Sequence, residues 1–160
     1  MPSTAERAAM IDRIAALPAQ LRELVGQLDE RQLCTRFVPG EWSVAQNVHH
    51  LADSHMSAVS RLKLILTEDR PALKGYDQDR YAELADGGHS ELDESLLLLE
   101  GLHRRWVRLL RSLDTAQWAR VGMHSEYGET SLDDQLATYA AHGEGHLDQI
   151  ARTLAADPLA

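Results

Sequence analysis

Apolar residues recur at three- and four-residue steps through four long stretches of the chain, the spacing that gathers them on one face of an α-helix. In the first, residues 4–30, they are Ile11, Ile14, Leu17, Leu21, Leu24, Val25 and Leu28. Pro18 falls inside this stretch and should kink or split it, because proline lacks the backbone N–H that the helix needs. A breaker segment, FVPGEW, follows. Ser43 with Gln46 three residues on forms a capping box and opens the second helix, whose stripe is Val44, Val48, Leu51, Val59, Leu62, Ile65 and Leu66. Ser90 with Asp93 starts the third, carrying Leu96, Leu99, Leu102, Trp106, Leu109 and Leu113. Ser131 with Asp134 caps the fourth, with Leu132, Leu136, Tyr139, Leu147, Ile150 and Leu154.

Between these helices, EDRPALKGYDQD reads as a loop with a short helical turn around DRYAEL, and RVGMHSEYGETS is turn-rich and can hold one irregular hairpin. There is no internal repeat, low-complexity tract or linker. The pattern predicts an all-α protein, one four-helix-bundle domain over residues 1–160. Some twenty residues join the second and third helices, enough to cross the end of the bundle.

A chain of 160 residues can bury a real core without cross-links. Its formal net charge of −9 argues against a nucleic-acid or anionic-membrane partner, either of which wants a basic face. The lone cysteine, Cys34, forms no internal disulfide and is expected to be a small buried hydrophobe. No signal peptide or run long enough to span a bilayer is present. A cytoplasmic protein acting on a small molecule is the expectation.

Candidate chemistry lies in YAAHGEGHLDQIA, where His142 and His146 stand four residues apart beside the apolar stripe. On a helix such a pair can reach one metal ion. Two half-buried imidazoles without a partner are costly, and a metal supplies one. Gly143 and Gly145 each weaken a helix interior by about 1 kcal/mol, which makes sense if another helix or a ligand comes close. A zincin helix is excluded, since Gly143 stands where H-E-x-x-H has its glutamate. A third ligand must come from elsewhere, and NVHHLADSHM on the second helix offers His49, His50 and His55. His50 shares its face with Asn47, Asp53, Ser54 and Ser57, whereas His49 and His55 lie elsewhere on the wheel, packed or solvated. His89, His103 and His124 read as structural.

Four segments together, EWSVAQNVHHLADSHMSAVSRLKLILTED, YDQDRYAEL, LLEGLHRRWVRLLRSL and HGEGHLDQI, resemble the DinB/YfiT-like family of metal-dependent enzymes, in its YfiT-like branch. The likeness runs from about residue 15 to residue 155. It implies an antiparallel bundle with up-down-down-up connectivity. It also implies one divalent metal, zinc or nickel, held by His50, His142 and His146. The chain departs from the family pattern at Gly143, Glu144 and Gly145, where further histidines are common, and at KGYD, where a proline usually precedes the tyrosine.

Three neutral imidazoles leave a metal with a free position, the mark of a catalytic site. A water there becomes a nucleophile near neutral pH, and a thiol is deprotonated outright. The first reading is therefore a metal-dependent hydrolase. The second is a thiol-dependent S-transferase that activates a low-molecular-weight thiol, bacillithiol- or mycothiol-like, as co-substrate. A third is a non-catalytic, metal-stabilised binding module. No carboxylate occupies a recognisable general-base position. Asp53, Tyr139 and Gln149 are candidates to orient a ligand or contact substrate, residues 69–80 and 119–130 to select it, and a homodimer is possible.

Overall fold

The computed structural model describes residues 1–159. Four long helices form the bundle: α1 (Thr4–Val25), α3 (Val44–Thr67), α5 (Asp93–Arg111) and α7 (Leu132–Ala155). Short helices α2 (Glu30–Cys34), α4 (Gln78–Ala82) and α6 (Thr115–Trp118) lie in the connections, with strands β1 (Ala72–Leu73), β2 (Val121–His124) and β3 (Gly128–Ser131). The capping boxes predicted at Ser43 and Ser131 are both present, and Ser3, Asp29 and Asp114 add three more. The first helix ends earlier than residue 30: α1 stops at Val25, and Asp29 then caps a separate short helix, α2. Pro18 leaves α1 unsplit. The third long helix starts later than the Ser90 box implies: its N-cap is Leu92, which makes no side-chain cap. Leu92 is buried in the core, so packing sets that boundary, and Asp93 and Glu94 complement the helix dipole instead.

Cross-helix pairs fix the directions. Arg7 meets Asp133 at 2.7 Å near the starts of α1 and α7, and Arg13 meets Glu144 further along, so these two run parallel. His49 with Ser95 and His55 with His103, each at 2.8 Å, make α3 and α5 parallel. Arg22–Glu100 and Arg111–Asp12 join opposite ends of α1 and α5, and His146–Asn47 and Arg61–Tyr139 do so for α7 and α3. The order is up-down-down-up, with α1 and α3 each packed between α5 and α7. Parallel neighbours α3 and α5 need a connection that returns along the bundle. A 24-residue helix such as α3 is about 36 Å long, which is why residues 68–92 are needed.

The hairpin expected in RVGMHSEYGETS is β2–β3, and β1 joins β2 in parallel to make a three-stranded sheet. Two residues of β1 are too short to carry a strand pattern. The sheet closes over the end of α3: a side chain on Gly122 would meet Leu73 at 2.7 Å and Ile65 at 3.0 Å. Among the described residues no helix is long and apolar enough to cross a membrane. Cys34 is exposed rather than buried, its Sγ 3.6 Å from the Gly88 carbonyl. Burial of the sulfur and the neighbouring Glu30 and Glu91 raise its pKa, which disfavours a nucleophilic thiolate.

Apolar packing falls into two clusters. One holds Ile14, Ala58, Val59, Trp106, Leu136 and Ala140; the other holds Leu17, Leu21, Leu51, Ala52, Leu99 and Ile150. Each long helix passes from one cluster to the other, and His55, His103, His142 and His146 fall between them in sequence on α3, α5 and α7.

The two glycines of α7 have different reasons. A Cβ on Gly143 would lie 2.7 Å from the buried Leu17 side chain, so α1 can approach only because none is there. Gly145 has nothing within 4 Å and is exposed, and the structure gives no reason for it. Gly143→Leu should therefore destabilise by about 1–3 kcal/mol through overpacking. Gly145→Ala should stabilise by roughly 1 kcal/mol. Urea unfolding of the two variants checks both signs.

Candidate metal centre

The site is built where antiparallel α3 and α7 cross. His142 and His146 stand on successive turns of α7, and α3 brings His50 against them. His142 Nε2 lies 3.2 Å from His50 Nε2 and 3.2 Å from His146 Nε2. The three potential ligand nitrogens all fall within 4.8 Å of one another. Bonds of 2.0–2.1 Å from zinc to nitrogen give a tetrahedral edge of about 3.3 Å, so two edges of the group have the spacing that a bound ion requires. Trp42, from the FVPGEW segment, packs on the group, its ring 4.7 Å from His50 and stacked at 6.1 Å on His146.

Two hydrogen-bond chains hold the rings. His146 Nδ1 donates to Asn47 Oδ1 at 2.7 Å, and the Asn47 amide donates to the Ser43 carbonyl at 2.9 Å. That second bond fixes which way the amide faces, so His146 carries its proton on Nδ1 and turns a bare Nε2 to the site. On the other side, His142 Nδ1 is 3.2 Å from His55 Nε2, His55 Nδ1 is 2.8 Å from His103 Nε2, and His103 Nδ1 is 2.7 Å from the Ile14 carbonyl. His50 Nδ1 is buried without a partner.

Burial holds the three rings neutral. It pushes His50 and His146 down to about 3 and His142 down to about 4, and the neighbouring imidazoles add to the shift of His50 and His146. His55 is driven well below its ordinary value by the same causes. Neutral rings offer lone pairs to a cation. Bare Nε2 atoms of His142 and His146 3.2 Å apart repel unless an ion lies between them, and His50 Nε2, which can donate to His142 Nε2 in one tautomer, offers a third lone pair in the other. The donor set is all imidazole, which suits zinc and nickel among the divalent ions. The residues present fit a metal.

The expected supporting residues divide. Tyr139 is buried with its ring edge-on to His55 at 5.5 Å and to His142 at 5.8 Å, and its hydroxyl accepts a hydrogen bond from Arg61 at 3.3 Å. Asp53 does not bond His50. It is half-buried, and burial together with Asp86 raises its pKa. Gln149 is half-buried and makes no side-chain hydrogen bond, and the structure gives it no role at the rings. His49 bonds Ser95 and the His89 carbonyl, away from the cluster.

A cleft of about 150 Å³ has His142 and Tyr139 in its wall, with Ser54, Arg61, Tyr76 and Glu126. Arg61 is anchored by its bond to the Lys74 carbonyl at 2.6 Å. Glu126, on the turn between β2 and β3, sits against Gly75, where any side chain would collide with its carboxylate. The cleft wall holds a carboxylate, Glu126, that the sequence alone does not single out. Its signal was hidden, because Glu126 lies sixteen residues before His142 on a different element and reaches the cleft only through the sheet. Both expected substrate segments, 69–80 and 119–130, contribute to this wall through Gly75, Tyr76, Gln78, His124, Glu126 and Tyr127.

The DinB superfamily model matches residues 13–150. The chain belongs to the DinB superfamily. Within it, the chain is 44% identical over 140 residues to a protein of Oceanobacillus iheyensis, covering 88% of this chain and 81% of that one. A Bacillus cereus relative is 43% identical over 140 residues, covering 88% of this chain and 80% of its own length. Both carry the name "Putative metal-dependent hydrolase". The structure of YfiT from Bacillus subtilis superposes with a TM-score of 0.92 at 36% identity, over 96% of this chain and 88% of that one. YfiT is described as "a probable metal-dependent hydrolase with an unusual four-helix bundle topology". The up-down-down-up order derived above belongs to the same DinB architecture.

Proposed function

We propose that this DinB-superfamily protein is a metal-dependent hydrolase of small molecules, with His50, His142 and His146 as ligands of one zinc or nickel ion. The observation that carries the reading is the convergence of three neutral imidazoles where His142 borders a polar cleft holding Arg61 and Glu126. A divalent ion on such ligands supplies the Lewis acidity that makes water a nucleophile near neutral pH.

The chain's own residues do the rest. Arg61, tied to the Lys74 carbonyl, presents a fixed cation to an anionic or polarised substrate group. Burial raises Tyr139 and pushes Tyr76 up to about 12, so both phenols stay protonated at neutral pH and can donate to substrate. Glu126 accepts the proton of the attacking group, a general-base role worth about 10²–10⁴-fold. Trp42 packs against the imidazoles of His50 and His146 on one side.

The test is an ester- and amide-hydrolysis screen of zinc- and nickel-loaded protein. Glu126→Gln should lower kcat by about 10²–10⁴-fold without changing metal content. Thiol transfer predicts the opposite pattern: no turnover until a low-molecular-weight thiol is added, and indifference to Glu126→Gln. The carboxylate in the cleft is what favours water over thiol here.

A further inference from the structure

Pro18 lies inside the unbroken helix α1. In an α-helix the N–H of residue i bonds the carbonyl of residue i−4. Pro18 has no N–H, so the carbonyl it leaves without its helical partner is that of Ile14. That same carbonyl receives His103 Nδ1 at 2.7 Å, in the bundle interior.

A carbonyl can only accept, so the proton of His103 is on Nδ1 and its Nε2 is bare. The bare Nε2 is 2.8 Å from His55 Nδ1, which must therefore carry a proton. His55 Nε2 is then bare and stands 3.2 Å from His142 Nδ1, which carries the next proton. The last atom in the series is His142 Nε2, left with its lone pair toward His50 and His146.

We infer that Pro18, His103 and His55 are positioning residues for the metal centre: the carbonyl freed by the proline sets the Nδ1–H tautomer of three successive imidazoles and so aims the His142 lone pair at the ion. The inference rests on the reading of His142 as a metal ligand. It assigns a shared purpose to a helix-interior proline and two buried histidines that would otherwise weaken a core. Asn47 and Ser43 do the same for His146 by a second, independent chain that also ends on a backbone carbonyl.

The experiment reads tautomers and zinc binding separately. Two-bond proton–nitrogen correlation spectra of ¹⁵N-labelled, metal-free protein at neutral pH report which nitrogen of each ring is protonated. His103, His55 and His142 should all be Nδ1–H. Pro18→Ala returns an N–H to the Ile14 carbonyl and should mix the His103 and His142 tautomers. It should also weaken zinc binding by about 10–100-fold, the range typical of groups that orient a ligand, although alanine is the better helix former. His103→Leu should weaken zinc binding similarly. His103→Gln should restore it to within a few-fold, because an amide still donates to the carbonyl and accepts from His55. An Nε2–H tautomer at His142 in the metal-free wild type would overturn the inference, as would undiminished zinc affinity in both Pro18→Ala and His103→Leu. If the wild type bound no zinc the metal reading would fail, and the tautomers would still decide whether the carbonyl orders the rings.

Discussion

Acidification of the metal-free protein from pH 7 to pH 4 should unfold it, with most of the stability lost between pH 6.5 and pH 4. Folded His50 and His146 titrate at about 3 and His142 at about 4, whereas an unfolded histidine titrates near 6.5. Between those values the unfolded chain binds protons that the folded chain excludes, so stability falls as pH falls. Each such ring contributes about 1.4 kcal/mol per pH unit, and the three together roughly 4 kcal/mol per unit. Against a typical total of about 5–15 kcal/mol, two pH units are enough. The carboxylates held low by hydrogen bonds, such as Asp134 at its capping box and Glu83 beside Arg36, act in the same direction only below the ordinary carboxylate range, so the two effects occupy separate windows. Circular dichroism across a pH series measures this directly. A flat stability between pH 7 and pH 4.5 would mean that the rings titrate as they do in water and that the site is wet.

Zinc should raise the thermal midpoint of the same protein by roughly 8–16 °C at a free concentration a thousand times its Kd. That excess stabilises by about 4 kcal/mol, and a domain of this size gains roughly 2–4 °C per kcal/mol. His142→Ala should abolish the rise, since it removes the nitrogen that stands 3.2 Å from both partners. Its loss in zinc affinity should exceed the 10–100-fold that orienting groups cost. The shift should also fade toward pH 5, because protons compete for the same lone pairs. Differential scanning fluorimetry with a buffered zinc series separates these results. An unchanged shift in the His142 variant would place the ion elsewhere.

The parts of this structure that could be read from the chain are those whose causes are local. Ser43 and Gln46 are three residues apart and make their box wherever the rest of the chain goes, and the same holds for Ser131 and Asp134. His142 and His146 share a face by helix geometry alone. Helical spacing set His50 apart from His49 and His55 by its polar face, and resemblance to the family made it a ligand. What could not be read depends on how helices pair. His55 lies five residues after His50, about 140° around the helix, so a wheel places it off the site. It joins the site only because α5 runs parallel beside α3 and offers His103 as its next partner. Asp53 shows the converse: three residues after His50, about one helical turn away, it is placed by the wheel to orient that ring, yet the structure leaves His50 Nδ1 without a partner. Glu126 and Trp42 reach the site from irregular segments whose paths no periodicity describes.

The imidazoles that divide the apolar core into two clusters have a consequence for how the bundle can be assembled at all. Leucines and isoleucines exchange partners at little cost, and a bundle lined only with them can slide by a turn or dock a helix in the wrong direction. Here a one-turn slip of α5 against α3 would set His103 against apolar neighbours and leave His55 Nδ1 bare. A buried polar contact that is satisfied in one alignment only works as a key, and this one has teeth on α1, α3, α5 and α7 together. The buried histidines that would orient the ion's ligand therefore make the up-down-down-up arrangement distinguishable from its rivals before any ion arrives.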